Sequence, residues 1–356
     1  MNSSYFDVRN IKNIEKIREI CCELPDTVTE FLVSIQLKTT PLTRLGYAGD
    51  LKIFFNYLVN YKFHGKKYEY EINPDDLSKI KAYDIELFLD YLSSYTLNGK
   101  KYKCGNIAKS RKLATLRSFF KFLYRRDYTP SNVLQKVETP KKQDKPIRFL
   151  EKNEVSELLH VANNGNSLTP RQKAFQQITK KRDIALLSLF LGTGIRISEC
   201  VGLNKSDLDL SICAINITRK GGNKAVLYFS QEVARALEDY IAWLDQQINN
   251  NTPFAQRISD KNALFLSLKG GRITVRAVEQ LVNKYASIVS PLKHITPHKL
   301  RSTFGTALYR ETNDIYVVAD ILGHKDVNTT KKHYAAISDE IRKNAANVVK
   351  LHNDTN

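Results

Sequence analysis

Three prolines, Pro130, Pro140 and Pro146, bracket the stretch "SNVLQKVETPKKQDK" and punctuate the middle of the chain. A proline inside a helix lacks the backbone donor and clashes with the preceding turn, so this polar, Lys-rich segment cannot continue one. It divides a 356-residue chain into two apolar-periodic halves, each long enough to bury a core of its own. The expected division is an extension over 1–24, a helical domain over 25–140, a linker over 141–146, a second domain over 147–337 and a tail helix over 338–356. The expected fold is mainly α with a small antiparallel sheet.

In the first half, "TRLGYAGDLKIFFNYLVN" places Tyr47, Leu51, Phe54 or Phe55 and Leu58 at helical spacing. "KAYDIELFLDYLSSY" repeats the pattern with Ile85, Phe88, Leu89 and Leu92. "NIAKSRKLATLRSFFKFLYRRDY" sets Leu113, Leu116, Phe119, Phe120 and Leu123 inside. It leaves Lys109, Arg111, Lys112, Arg117, Lys121, Arg125 and Arg126 largely outside, with no acid before Asp127. A merely solvated face usually mixes signs to gain i,i+4 pairs, whereas an unmixed basic face suits phosphate contact.

In the second half, "FLEKNEVSELLHVAN" opens with a helix, and "RDIALLSLFLGTGIRISECVGL" is an apolar helix broken at Gly192 and Gly194. The β-branched runs "AINIT" and "AVLYF" flank "RKGGNK", which predicts a hairpin with a basic, glycine-rich tip. A long helix around Ala234 to Gln247 follows.

The balance of 55 Lys and Arg against 37 Asp and Glu, a formal charge of +18, points first to a polyanionic partner, with nucleic acid ahead of an anionic membrane surface. No apolar run approaches the roughly 20 residues needed to span a bilayer. The opening "MNSSYFDVRNIKNIEKI" is too charged for a signal peptide, so the expected location is the cytoplasm, with no membrane partner. Cys21, Cys22, Cys104, Cys200 and Cys213 form no CxxC pair and no zinc-ligand spacing, so neither disulfide nor structural metal is expected.

Cleaving a phosphodiester without metal takes arginine forks for the non-bridging oxygens, a proton donor for the leaving oxygen and a nucleophile. Arg196 follows a glycine turn in "GTGIRISE", with Glu199 one turn on, placed to brace that guanidinium or a neighbouring imidazole. Lys220 lies at the hairpin tip, and "HKLRSTF" sets His298 and Arg301 on one face of a helix capped by Thr296 and started by Pro297. His324 and Tyr334 follow in "LGHKDVNTTKKHY". Alone, each is ordinary: an arginine near a glycine is usually a surface ion-pair residue, and a tyrosine is more often half-buried core.

Taken in order, Arg196 in "TGIRISE", Lys220 in a β-turn, "HKLR", "LGH" and a tyrosine resemble the signature of the tyrosine recombinases, the phage-integrase and Xer-type family. The first half resembles that family's helical core-binding domain. The resemblance implies a SAM-like core DNA-binding domain followed by a mixed α+β catalytic domain. It implies that Arg196 and Arg301 clamp the scissile phosphate and that Lys220 protonates the leaving 5′ oxygen. By the same resemblance His298 manages the nucleophile's proton, His324 adds a hydrogen bond, Glu199 supports Arg196 and His298, and Tyr334 attacks. The turn "RKGGNK" is one residue longer than the commonest Xer pattern, so Lys224 competes with Lys220 for the acid role.

The implied reaction proceeds through a 3′-phosphotyrosyl intermediate and a Holliday junction, and no cofactor is expected. The implied partner is double-stranded DNA with short inverted half-sites, held by a homotetramer on two paired sites. Residues 1 to 24 are too few for a separate arm-binding domain. Two rivals remain: relaxation of one duplex by a type IB topoisomerase, and a DNA-binding protein that keeps the fold without the chemistry.

Overall fold

The computed structural model describes residues 5–141, 148–219, 222–323 and 327. It divides into two compact units, Met1–Asp144 and Lys145–Asn356. Lys220, His324, Tyr334 and the tail helix expected over 338–356 lie outside the described residues.

The first unit is helical: α1 (Tyr5–Cys21), α2 (Asp26–Ser34), α3 (Pro41–Tyr61), the short α4 (Pro74–Ser78), α5 (Ala82–Tyr91) and α6 (Asn106–Arg125), with a small hairpin of β1 (Tyr95–Leu97) and β2 (Lys100–Tyr102) between α5 and α6. Helix α3 starts where Thr40 Oγ1 accepts from Thr43 N at 3.3 Å and Pro41 supplies a preset φ at the first helical position. The expected stripes meet in one core, where Phe31, Phe54, Phe55, Phe88, Phe119 and Phe120 are shut away from solvent. Phe54 meets Phe88 edge to face at 5.1 Å and Phe31 meets Phe119 at 5.4 Å, geometries that add about 0.5–1.5 kcal/mol per pair beyond area burial. Ile17 of α1 and Leu24 belong to the same core, so the N-terminal helix packs as part of this unit.

The second unit comprises α7 (Lys152–Asn164), α8 (Pro170–Thr193), α9 (Ile197–Gly202), β3 (Leu208–Asp209), β4 (Ala214–Thr218), β5 (Lys224–Tyr228), α10 (Gln231–Asn249), α11 (Val275–Val289), α12 (Pro297–Thr312) and α13 (Ile315–Leu322). The three strands form an antiparallel sheet in the order β3, β4, β5, with Ala214 opposite Tyr228 and Thr218 opposite Lys224.

Helix α8 is the hub, packed by α7, α10 and α12, and its Leu186, Leu187, Leu189 and Phe190 are fully buried. Each such side chain contributes about 1.5–3 kcal/mol through burial. The helix begins well before "RDIALL", at a capping box in which Thr169 Oγ1 accepts from Gln172 N at 3.3 Å and Gln172 Oε1 accepts from Thr169 N at 3.0 Å. Gly192 does not break it; α8 runs through Gly192 and stops at Gly194.

At the base of this core, Asp183 is fully buried and accepts from Arg182 Nη2 at 2.8 Å, Lys284 Nζ at 3.0 Å, Tyr285 Oη at 2.8 Å and Thr179 Oγ1 at 3.0 Å. Burial and the adjacent Asp183 push the Tyr285 hydroxyl well above the usual tyrosine range, so it stays a donor.

Candidate active site

The site is built from helix ends. Helix α8 terminates at Gly194, which has φ 61° and donates to the Phe190 carbonyl at 3.0 Å. A Cβ here would stand 2.5 Å from Phe304 Cδ1, so both the left-handed backbone and the space demand glycine. Two residues on, Arg196 is the N-cap of α9. Glu199, one turn later and buried, accepts from Arg196 N at 3.0 Å and from Arg196 Nη1 at 2.9 Å. The carboxylate thus caps the helix and aims the guanidinium in one act. Arg196 Nη2 donates to the Gly323 carbonyl at 2.8 Å.

Arg301 sits on α12 and is buried. Its Nη1 donates to the Gly194 carbonyl at 2.6 Å and its Nη2 to the Leu322 carbonyl. A third arginine, the first residue of "RKGGNK" and one without an assigned role in the sequence, joins them. Arg219, at the end of β4, donates from Nη2 to the Ile321 carbonyl at 3.1 Å and makes a longer contact from Nη1 to the Asp320 carbonyl at 3.5 Å. Arg196, Arg219 and Arg301 therefore take the carbonyls of four consecutive residues, 320 to 323, at the end of α13. A helix leaves its last four carbonyls without intrahelical donors and carries negative partial charge there. Three cations satisfy both, together with Gly323 N, which donates to the Asp320 carbonyl at 2.8 Å.

The structure thus brings together Arg196, Glu199 and Arg301. His298 is the second residue of α12 and exposed, one turn before the buried Arg301. Pro297 occupies the first helical position as expected, but the Thr296 side chain makes no capping bond; its carbonyl instead accepts from Lys299 N at 2.8 Å and Leu300 N at 3.0 Å. Burial, followed by the charge of Arg148, draws the Lys299 ammonium below the ordinary lysine range. Cys200, next to Glu199, is fully buried, and burial plus that carboxylate push its thiol up, so it has no thiolate chemistry at neutral pH. Lys224 opens β5 opposite Thr218 and is exposed.

On α6 the expected outer basic face is corrected at one position and qualified at others. Lys112 is buried, and its Nζ donates to Asp50 Oδ1 at 2.8 Å. Arg111 grips the same Asp50 with both arms at 2.6 Å, and Thr115 Oγ1 completes the set at 2.9 Å. Lys112 falls on the stripe of Leu116, Phe119 and Leu123, so it faces the core and ties α6 to α3 rather than facing solvent. Lys109 reaches Ser93 Oγ at 2.7 Å, and Arg117 is engaged by Thr139 Oγ1 at 2.7 Å and the Val137 carbonyl at 2.6 Å. Lys121, Arg125 and Arg126 are exposed.

Residues 148–340, more than half of the chain, match the phage integrase family. The chain belongs to that family. Among curated tyrosine recombinases, it is 30% identical over 317 residues to tyrosine recombinase XerC of Oceanobacillus iheyensis, covering 89% of this chain and 92% of that protein. It is 34% identical over 223 residues to tyrosine recombinase XerC of Thermodesulfovibrio yellowstonii, covering 62% and 69%. The fold matches the XerH site-specific recombinase bound to palindromic difH substrate, with a TM-score of 0.61 at 18% identity over 83% of this chain and 76% of that one. It also matches a lambda integrase tetramer bound to a Holliday junction, with a TM-score of 0.57 at 14% identity over 86% and 76%. This tyrosine recombinase is accordingly an enzyme of site-specific DNA recombination.

Proposed function

We propose that this phage integrase family member cleaves and rejoins double-stranded DNA through a 3′-phosphotyrosyl intermediate, with Tyr334 as nucleophile. Arg196 and Arg301 hold the non-bridging oxygens of the scissile phosphate. The Tyr334 oxygen forms a bond to phosphorus as the bond to the 5′ oxygen breaks. His298 takes the tyrosine proton, Lys220 gives a proton to the departing 5′ oxygen, and His324 adds a hydrogen bond to the phosphate. A free tyrosine hydroxyl has a pKa of about 10 and attacks poorly at neutral pH, so the field of the two guanidiniums is what distinguishes Tyr334 among the eighteen tyrosines of the chain. The new ester has nearly the energy of the old one, so a 5′ hydroxyl from a partner duplex reverses the step and exchanges strands.

One observation carries this reading: Arg196 from α9 and Arg301 from α12 meet the adjacent carbonyls of Gly323 and Leu322. Two forks thereby converge on Leu322 and Gly323, the residues immediately before "HKDVNTTKKHY" in the chain. A guanidinium has five donors, and Arg196, with a third of its side chain exposed (32%), can hold Gly323 and a phosphate oxygen together. Losing one such preorganised donor typically costs about 2.7–4 kcal/mol of barrier.

We extend the reading to the assembly: a monomer in free solution that becomes a homotetramer on two paired sites made of short inverted half-sites, acting on cytoplasmic DNA. The test of the chemistry is polarity. A duplex carrying the recombination site, nicked beside the scissile phosphate, is labelled at the 5′ end of the cleaved strand and run on a denaturing gel with protein. The label is expected to travel with the protein, as a 3′-phosphotyrosyl link requires. Label retained only when placed at the 3′ end contradicts the proposal.

A further inference from the structure

Arg219 has no part in the chemistry set out above, yet its side chain is tied to a distant segment of the second unit. Its backbone closes the β4–β5 loop: Arg219 N donates to the Asn223 carbonyl at 2.7 Å, and the Arg219 carbonyl accepts from Gly222 N at 3.1 Å. Its guanidinium crosses to the end of α13, about a hundred residues later, to bond Ile321 and Asp320. Its Nε is buried, so the side chain lies along that turn instead of reaching for solvent.

The far side is shaped to receive it. A Cβ on Gly323 would stand 1.7 Å from Arg219 Nη1 and 2.4 Å from its Cζ. Any residue but glycine at 323 displaces the guanidinium.

We infer that Arg219 is a positioning residue for the general acid. It fastens the base of the hairpin that carries Lys220 to the turn that leads into His324 and Tyr334. Lys220 follows Arg219 directly in the chain, and consecutive Cα atoms are 3.8 Å apart. Asn223 is held to Arg219 across the loop, which confines its return. Lys224, by contrast, lies beyond that closure at the start of β5. Arg219, the residue before Lys220, thus shares the four carbonyls 320 to 323 with Arg196 and Arg301. This inference rests on the assignment of Lys220 as the acid.

The experiment compares single-turnover cleavage of an ordinary site with cleavage of the same site carrying sulfur at the 5′ bridging position, whose thiolate leaves without a proton. Arg219→Ala is expected to slow cleavage of ordinary DNA by about 10²-fold, the effect of misplacing a reacting group by about 1 Å. On the sulfur substrate it is expected to cut within a few-fold of wild type, with half-site affinity unchanged. Arg219→Lys keeps the charge without the two-armed fork and is expected to show the same rescuable defect; it decides the matter if the alanine variant does not fold. Lys220→Ala is the reference: if sulfur fails to rescue it, the acid assignment falls and the inference with it. If sulfur rescues Lys220→Ala but neither Arg219 variant, Arg219 does not position the acid. A salt dependence of binding flattened by about 0.9 in Arg219→Ala, without rescue, makes Arg219 a phosphate contact and overturns the inference.

Discussion

Arg301 donates from Nη1 to the Gly194 carbonyl at 2.6 Å, across 107 residues of chain. The bond joins α12 to the end of α8, two residues before Arg196, so the second arginine of the site also fixes the turn that presents the first. Its other arm holds the Leu322 carbonyl. A lysine lacks the planar two-armed fork that holds one carbonyl with each arm. Arg301→Lys is therefore expected to lower single-turnover cleavage by at least about 10²-fold while half-site affinity in gel-shift titration stays close to wild type. Equal losses in both would mean that Arg301 acts only through DNA binding.

Asp50 and Lys112 form a buried charge pair that Arg111 covers from outside. Removing one member of such a pair leaves an uncompensated buried charge, which costs about 3–5 kcal/mol, whereas replacing both with apolar residues is often neutral. Asp50→Ala is expected to lose stability on that scale in urea unfolding, and Asp50→Leu with Lys112→Met to recover most of it. A double variant as unstable as Asp50→Ala would contradict the pairing.

The same correction divides the basic residues of α6 by exposure. Lys121 and Arg125 are exposed, and Lys112 is not. Neutralising Lys121 and Arg125 together is expected to flatten the slope of log affinity against log salt by about 0.9 for each DNA phosphate that is no longer neutralised. Lys112→Met is expected to leave the slope unchanged and to act on stability alone. A slope altered by Lys112→Met would return that residue to the DNA-facing surface.

What the sequence revealed followed from local periodicity and motif order. The stripes on α3, α5 and α6 named Phe88, Phe119 and Phe120 and one of Phe54 and Phe55, because i, i+3 and i+4 spacing is a property of one helix; both Phe54 and Phe55 are buried, and Phe31 of α2 was missed. Arg196 with Glu199 was legible for the same reason: the capping box lies within four residues. Lys112 was misread because counting charges ignores the phase of the stripe, although its spacing from Leu116 was visible. The Asn98–Gly99 turn between β1 and β2, with φ of 50° and 74°, carried the usual Asn-Gly hairpin signal and was missed between stronger helices. The bonds from Arg219 to Asp320 and Ile321, and from Arg301 to Gly194, had no sequence signal, since their partners are backbone carbonyls a hundred or so residues away.

Tyr334 carries the proposed chemistry. Tyr334→Phe removes one oxygen and little surface, so binding of a half-site is expected to stay within about twofold of wild type. Incubation of the wild-type protein with a nicked suicide duplex is expected to yield a covalent band on a denaturing gel, with the adduct in the peptide containing Tyr334. The same incubation with Tyr334→Phe is expected to yield no band. A covalent band that persists in Tyr334→Phe would contradict the central claim.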